Sequence, residues 1–111
     1  MRRGELYRVH QPPGDPKKYR SFAIAGRQSA VDSGFSTVIC APIFTNGQGA
    51  STQVSIGIDQ GMKHDCWIWC DGLTSIPKSA LTQYVGSLSA SKLTEFNRAL
   101  AFALDLGLEA Q

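Results

Sequence analysis

Along most of the chain apolar residues recur at every second position, and after residue 88 at every third or fourth. The first pattern predicts strands and the second a helix. In ELYRV, residues 5–9, Leu6 and Tyr7 sit among charged neighbours as a first strand. HQPPGDPKKY, residues 10–19, holds three prolines, a glycine and an aspartate, and reads as a loop reaching away from the core. SFAIAG, residues 21–26, is a buried strand, and RQSAVDSG, residues 27–34, a polar connection. FSTVICAPIF, residues 35–44, is a long strand with Ile39 to Phe44 in the core, where Pro42 implies a sheet edge or a bulge. TQVSIGI alternates Val54, Ile56 and Ile58 with small polar residues, and DQGMKHD, residues 59–65, is a turn. CWIWC, residues 66–70, puts Trp67 and Trp69 on one face and Cys66, Ile68 and Cys70 on the other. IPKSALTQYVGSL, residues 76–88, contains a short turn and a last strand around Thr82–Val85.

From Ser89 the period changes. Leu93, Phe96, Leu100 and Leu104 are spaced by three and four, with Ser89 or Ser91 as N-cap and Gly107 as stop. Five or six short strands followed by one amphipathic helix predict a mainly β domain, a strongly bent barrel or half-barrel plugged by the helix.

A chain of 111 residues is expected to be a single domain, 1–111, burying roughly 65% of its unfolded surface in one modest core. The charged fraction of 18% is lean for a soluble monomer and points to a second subunit covering part of the surface. A net charge of +2 does not by itself declare a nucleic-acid binder. Cys66 and Cys70 share a strand face but lie ~13 Å apart in extended chain, too far for one bridge or one metal ion. With Cys40 they are expected to be buried thiols in a reducing cytosol. MRRGELYRVH has no apolar signal core, and no run approaches the ~18 apolar residues a membrane span needs. The protein is expected in the cytoplasm, off the membrane.

The sequence offers three candidates for chemistry. The loop KKYR, with Lys17, Lys18, Tyr19 and Arg20, can contact phosphate, stack a base and hold charge, or be a solvated loop. Arg20 enters a buried strand, so its guanidinium is held more rigidly than a loop lysine, as suits a phosphate whose charge grows during reaction. An ion pair with Asp15, Asp32 or Asp71 is the alternative. Thr45 and Asn46 end a buried strand before glycines, and either bind a phosphate oxygen or cap the strand. Asp71, between CWIWC and Gly72, is a base, a positioning acceptor for Arg20, or a turn residue. Arg27, opening the polar connection, is counted with Lys17, Lys18, Tyr19 and Asn46 as a nucleic-acid contact. His10 and His64 stand 54 positions apart in separate polar segments and are expected to be solvent-exposed loop residues. Ser29, Ser33 and Ser36 lack a nucleophile-elbow context. There is no glycine-rich phosphate loop before a helix and no carboxylate cluster for magnesium, which disfavours a metal-dependent nuclease.

Four blocks, in order and in register, resemble the MazF/PemK family of bacterial toxins. RRGELYRV resembles the family's RGEVW-x-V opening, and YRSFAIAGRQSA its RPVLVVSND stretch, with Ser21 in place of the proline. STVICAPIFTN resembles TVIVAPITS, and CDGLTSIPKSAL resembles CDQIRTIDKSRL, with Lys78 on the lysine. The resemblance implies an SH3-like barrel of five to seven antiparallel strands and a homodimeric, metal-independent, cofactor-free endoribonuclease cutting single-stranded RNA at a short sequence. There the RNA's own 2′-OH attacks the adjacent phosphate, leaving 2′,3′-cyclic phosphate and 5′-OH ends. By the same resemblance Arg20 stabilises the phosphorane charge, Thr45 bonds the scissile phosphate, and Asp71 is a secondary polar contributor. A cognate antitoxin with a disordered acidic tail is the implied partner.

Gly72 and Thr74 depart from the family glutamine and arginine, and the loop 10–19 departs from its usual GSEQGG-type loop. CcdB-like toxins, which poison DNA gyrase, resemble the C-terminal part through CDGLTSIPKSALTQYVGSLS. They finish with an aromatic-glycine-aliphatic tail, whereas this chain ends LDLGLEAQ and keeps Arg20 and Thr45. Gyrase poisoning is therefore the second reading.

Overall fold

The computed structural model describes residues 1–107. Its strands are β1 (Glu5–His10), β2 (Tyr19–Ile24), β3 (Thr37–Phe44), β4 (Gln53–Ile56), β5 (Cys66–Trp69), β6 (Thr74–Pro77) and β7 (Gln83–Ser87). A one-turn helix α1 (Gln28–Val31) follows β2, and α2 (Ala90–Ala103) closes the chain. The strands form one antiparallel sheet in the order β4-β5-β3-β2-β1-β7, with β6 on the free half of β3. This is the mainly β architecture with a C-terminal helix that the pattern predicts.

Both faces of the central strands are buried, which explains their nearly continuous apolar runs. Leu6, Ala23, Ala41 and Ile43 face α2 and pack with Val54, Ile56, Ile68 and the fully enclosed Phe96. Their neighbours Tyr7, Val9, Phe22, Ile24, Val38 and Cys40 point the other way, under Val31 of α1 and Leu81. The chain thus builds two clusters where one modest core was expected. All three cysteines are free and buried.

Several local expectations are corrected. Pro42 lies in the central strand β3, at neither an edge nor a bulge: β6 pairs with Thr37–Cys40, β5 with Ile43 and Phe44, and Pro42 falls at the changeover. The Ile39 carbonyl accepts the Ala25 and Gly26 N–H groups on the β2 side. Strand alternation therefore turns the Pro42 nitrogen towards the changeover, where no ladder donor is missing. Ile39 is 47% exposed, in an open groove beside Leu100 and Ala101 of α2 and Leu104. Ile58 is 78% exposed because β4 ends at Ile56 and Ile58 opens a 3-10 turn. β6 is a strand in its own right, and α1 is a helical turn inside the polar connection.

Helix α2 starts at Ser89, whose Oγ accepts the Lys92 N–H at 3.3 Å. It stops before Gly107. Asp105 takes the left-handed position (φ 53), donating its N–H to Phe102, while Leu106 donates to Ala101.

Candidate active site

The strand tips leave a groove of about 620 Å³. β1, β2 and the tip of β3 give it a floor, β7 one wall, and the turn 61–64 another. Four cations line it, Arg8, Lys17, Arg20 and Lys63, and no carboxylate does among the described residues. So many like charges focused in a concave surface attract a polyanion.

Arg20, second residue of β2, is the most constrained of the four. Its Nε donates to Asp15 Oδ2 and its Nη2 to Asp15 Oδ1, both at 3.1 Å. Asp15 Oδ1 also accepts the Lys17 N–H at 2.8 Å. The Arg20 hydrogen bonds first, and the Lys17 N–H second, hold the Asp15 carboxyl below the usual carboxylate range. This two-point grip fixes the guanidinium plane while Nη1 keeps no protein hydrogen bond among the described residues.

Thr45 follows β3 directly, so its hydroxyl stands exposed at the groove's rim. The loop after it rests on tryptophans. The Trp69 indole N–H donates to the Asn46 carbonyl at 2.8 Å, and Gly47 lies so close to Trp67 that a Cβ there would meet its ring at 2.2 Å. Phe44 packs edge-on against Trp69, with ring centroids 5.2 Å apart. At the other end, Tyr19 carries Arg8 over its ring at 4.5 Å.

The fold gathers Lys17, Tyr19, Arg20, Thr45 and Asn46 on this groove. Lys18 stands just outside, 5.9 Å over the Tyr19 ring. Arg27 lies against a different groove, beside Ile39 and Leu104. Asp71 is not in the lining: its Oδ2 accepts the Thr52 hydroxyl at 2.7 Å, and Asp15 takes the place beside Arg20. His10 is exposed at the end of β1, whereas His64 is exposed on the groove itself. Arg8, Lys63 and His64 are groove residues that the sequence does not mark, its only sign being the Lys-His pair in a glycine-led turn. Cys66 also reaches the groove, but burial first, and Asp65 second, push its thiol up. It donates to the His64 carbonyl at 3.1 Å, a structural rather than a nucleophilic role.

The model of the PemK-like, MazF-like toxin of type II toxin–antitoxin systems matches residues 2–104. The chain belongs to this toxin family. Among solved PemK/MazF-like structures, Mycobacterium tuberculosis toxin MazF-mt6 is 25% identical, with TM-score 0.79 over 93% of this chain and 98% of that one. An endoribonuclease in complex with its cognate antitoxin, from a mycobacterial species, is 22% identical, with TM-score 0.80 over 96% and 97%. MazE-MazF from Deinococcus radiodurans is 16% identical, with TM-score 0.77 over 96% and 98%. Comparison with curated protein sequences finds no match. No helix among the described residues is long and apolar enough to cross a membrane.

Proposed function

We propose that this toxin is an endoribonuclease cutting single-stranded RNA at a short sequence, without a metal ion, by attack of the 2′-OH on the adjacent phosphate. The observation that carries the reading is the pairing of Arg20, clamped by Asp15, with Thr45 on one cationic groove. The nucleophile belongs to the substrate, so the protein has only to hold the phosphate, neutralise its growing charge and move protons. Arg20 supplies the neutralising donor, and Thr45 hydrogen-bonds a non-bridging oxygen. Lys17, Arg8 and Lys63 attract the flanking phosphates, with Lys18 adding charge at the rim. Tyr19 offers a stacking face beside them. Asp71 binds Thr52 away from the groove and does not touch the RNA in this reading. The mycobacterial neighbour described as an endoribonuclease supports the assignment.

The complexes with antitoxins support a partner whose acidic tail occupies this groove. A homodimer would cover the second groove, where Ile39, Leu104 and Leu106 are exposed. The reaction and its partners fit a cytoplasmic protein.

The test is incubation of the protein with a long RNA in EDTA, followed by end mapping. Cleavage leaving 5′-OH ends, abolished by Arg20→Ala and reduced by Thr45→Ala, is expected. Intact RNA with the wild type, or undiminished cutting by Arg20→Ala, would overturn the reading. Linear plasmid accumulating with gyrase and ATP would move the assignment to gyrase poisoning, which the family match does not favour.

A further inference from the structure

We propose that His64 is the general base that removes the proton from the attacking 2′-hydroxyl; this rests on the ribonuclease reading above. Attack by a 2′-hydroxyl needs a group that accepts a proton near neutral pH, beside the phosphate held by Arg20 and Thr45. The groove contains no carboxylate to do so among the described residues. Asp15 lies next to Arg20, but its carboxylate is committed to that guanidinium and to the Lys17 N–H, and it is lowered, which makes it a weak base. Asp71 is turned to Thr52. The other proton-bearing side chains of the lining are arginine, lysine, tyrosine and a buried thiol, types that keep their proton at neutral pH. Imidazole is the one type present that exchanges there.

The turn that carries His64 is anchored at both ends. At its start Gly61 (φ +99) packs on the β7 backbone so closely that a Cβ would lie 2.4 Å from the Val85 carbonyl, and a Cβ on Gly86 would lie 2.0 Å from that of Gln60. At its end Cys66 pairs with Ile56 and donates its thiol to the His64 carbonyl. An exposed side chain on a turn fixed in this way is presented to the groove from a constant position. The charged and titratable groups around it are Lys63 and Asp65 on its own turn, and Lys17 on the loop between β1 and β2. The rest of the lining adds Arg8 on β1, Arg20 on β2, Tyr84 on β7 and Cys66 on β5. The cations hold the RNA backbone and leave the imidazole free to act on the sugar.

In the step itself, a His64 ring nitrogen takes the proton from O2′ as the O2′–P bond forms. The P–O5′ bond breaks with its electron pair leaving on O5′, which takes a proton from water. The imidazolium then returns its proton to solvent, and nothing is oxidised or reduced.

The experiment compares wild type, His64→Asn and Arg20→Ala on an RNA oligonucleotide with one cut site, and on the same oligonucleotide with a 5′-bridging sulfur, whose thiolate departs without a proton. His64→Asn should lose about 10²–10⁴-fold in kcat, equally on both substrates, with little change in KM. An unchanged kcat, or a loss confined to KM, would overturn the proposal. So would a defect cured by the sulfur leaving group, which would make His64 the acid. Wild-type failure to cut either substrate would instead refute the ribonuclease reading, and this proposal with it.

Discussion

Gly47→Ala tests whether the tryptophan bed positions the Thr45 loop. The new Cβ would sit 2.2 Å from Trp67 Cγ and 2.3–2.4 Å from two more ring atoms, against an ordinary contact of 3.4 Å or more. Backbone and ring must therefore part by about 1.2 Å, the difference between those two distances. Either the half-buried Trp67 indole, which borders an open groove beside Ser55 and Lys92, or the loop itself must move. Overpacking of this kind costs about 1–3 kcal/mol. The lower end is expected, since the loop can lift into solvent, and each kcal/mol lowers Tm by about 4–8 °C in a domain near this size. The functional cost should be larger in proportion, because a displacement of about 1 Å in a positioning element can lose about 100-fold in rate. The assay pairs thermal unfolding with single-turnover RNA cleavage well below Tm, with Gly34→Ala as control, a site where a Cβ meets nothing within 4 Å. A Gly47→Ala protein with unaltered Tm and unaltered rate would refute the wedge. A lowered Tm with an unaltered rate would show that the loop does not position Thr45.

Asp15→Asn should lower cleavage at least tenfold without unfolding the protein, as Arg20 loses a charged two-point grip; RNA cleavage and circular dichroism check this. Because the Asp15 carboxyl is lowered in the fold, its contribution to stability is fully present above the ordinary carboxylate value and lost as pH falls through the lowered one. Acid titration of wild type and Asp15→Asn should thus converge at low pH. Phe96→Ala, which empties the fully enclosed centre of the α2 cluster, should cost about 3–5 kcal/mol in urea unfolding. Asp105→Gly removes a side chain from a left-handed backbone position and should raise stability by about 0.5–1 kcal/mol in the same assay.

The long periodic segments were readable from sequence because burial on defined faces imposes their pattern. The run from Leu93 to Leu100 and the alternation in CWIWC are both set by what the sheet and helix must cover. Short segments were not readable. TSIP becomes a strand only because β3 offers it a free half, and QSAV turns once because Val31 finds the second cluster. Ile39 and Ile58 fit their strand periods, yet period does not say which positions stay uncovered or where a strand ends. Of the candidate site, Arg20 and Thr45 stand out as strand-end residues with open alternatives, and only the family resemblance puts both at one site. The choice of Asp15 over Asp32 and Asp71 as partner for Arg20 needed the loop's path. His64 needed more: its turn reaches the groove only because that turn is anchored on β7, the far edge of the sheet from β4.

If the substrate's own 2′-hydroxyl does the cutting in the Arg20–Thr45 groove, removing that one hydroxyl must stop it. The decisive pair of oligonucleotides is all-ribose RNA and the same strand with a single 2′-deoxy sugar on the 5′ side of the mapped cut. Both are incubated with the wild-type protein in EDTA, and their ends are read by mass spectrometry. The first strand should give a 2′,3′-cyclic phosphate and a 5′-OH, and the second should stay uncut at the modified position. A cut at the deoxy position, or a 5′-phosphate end from either strand, would contradict it.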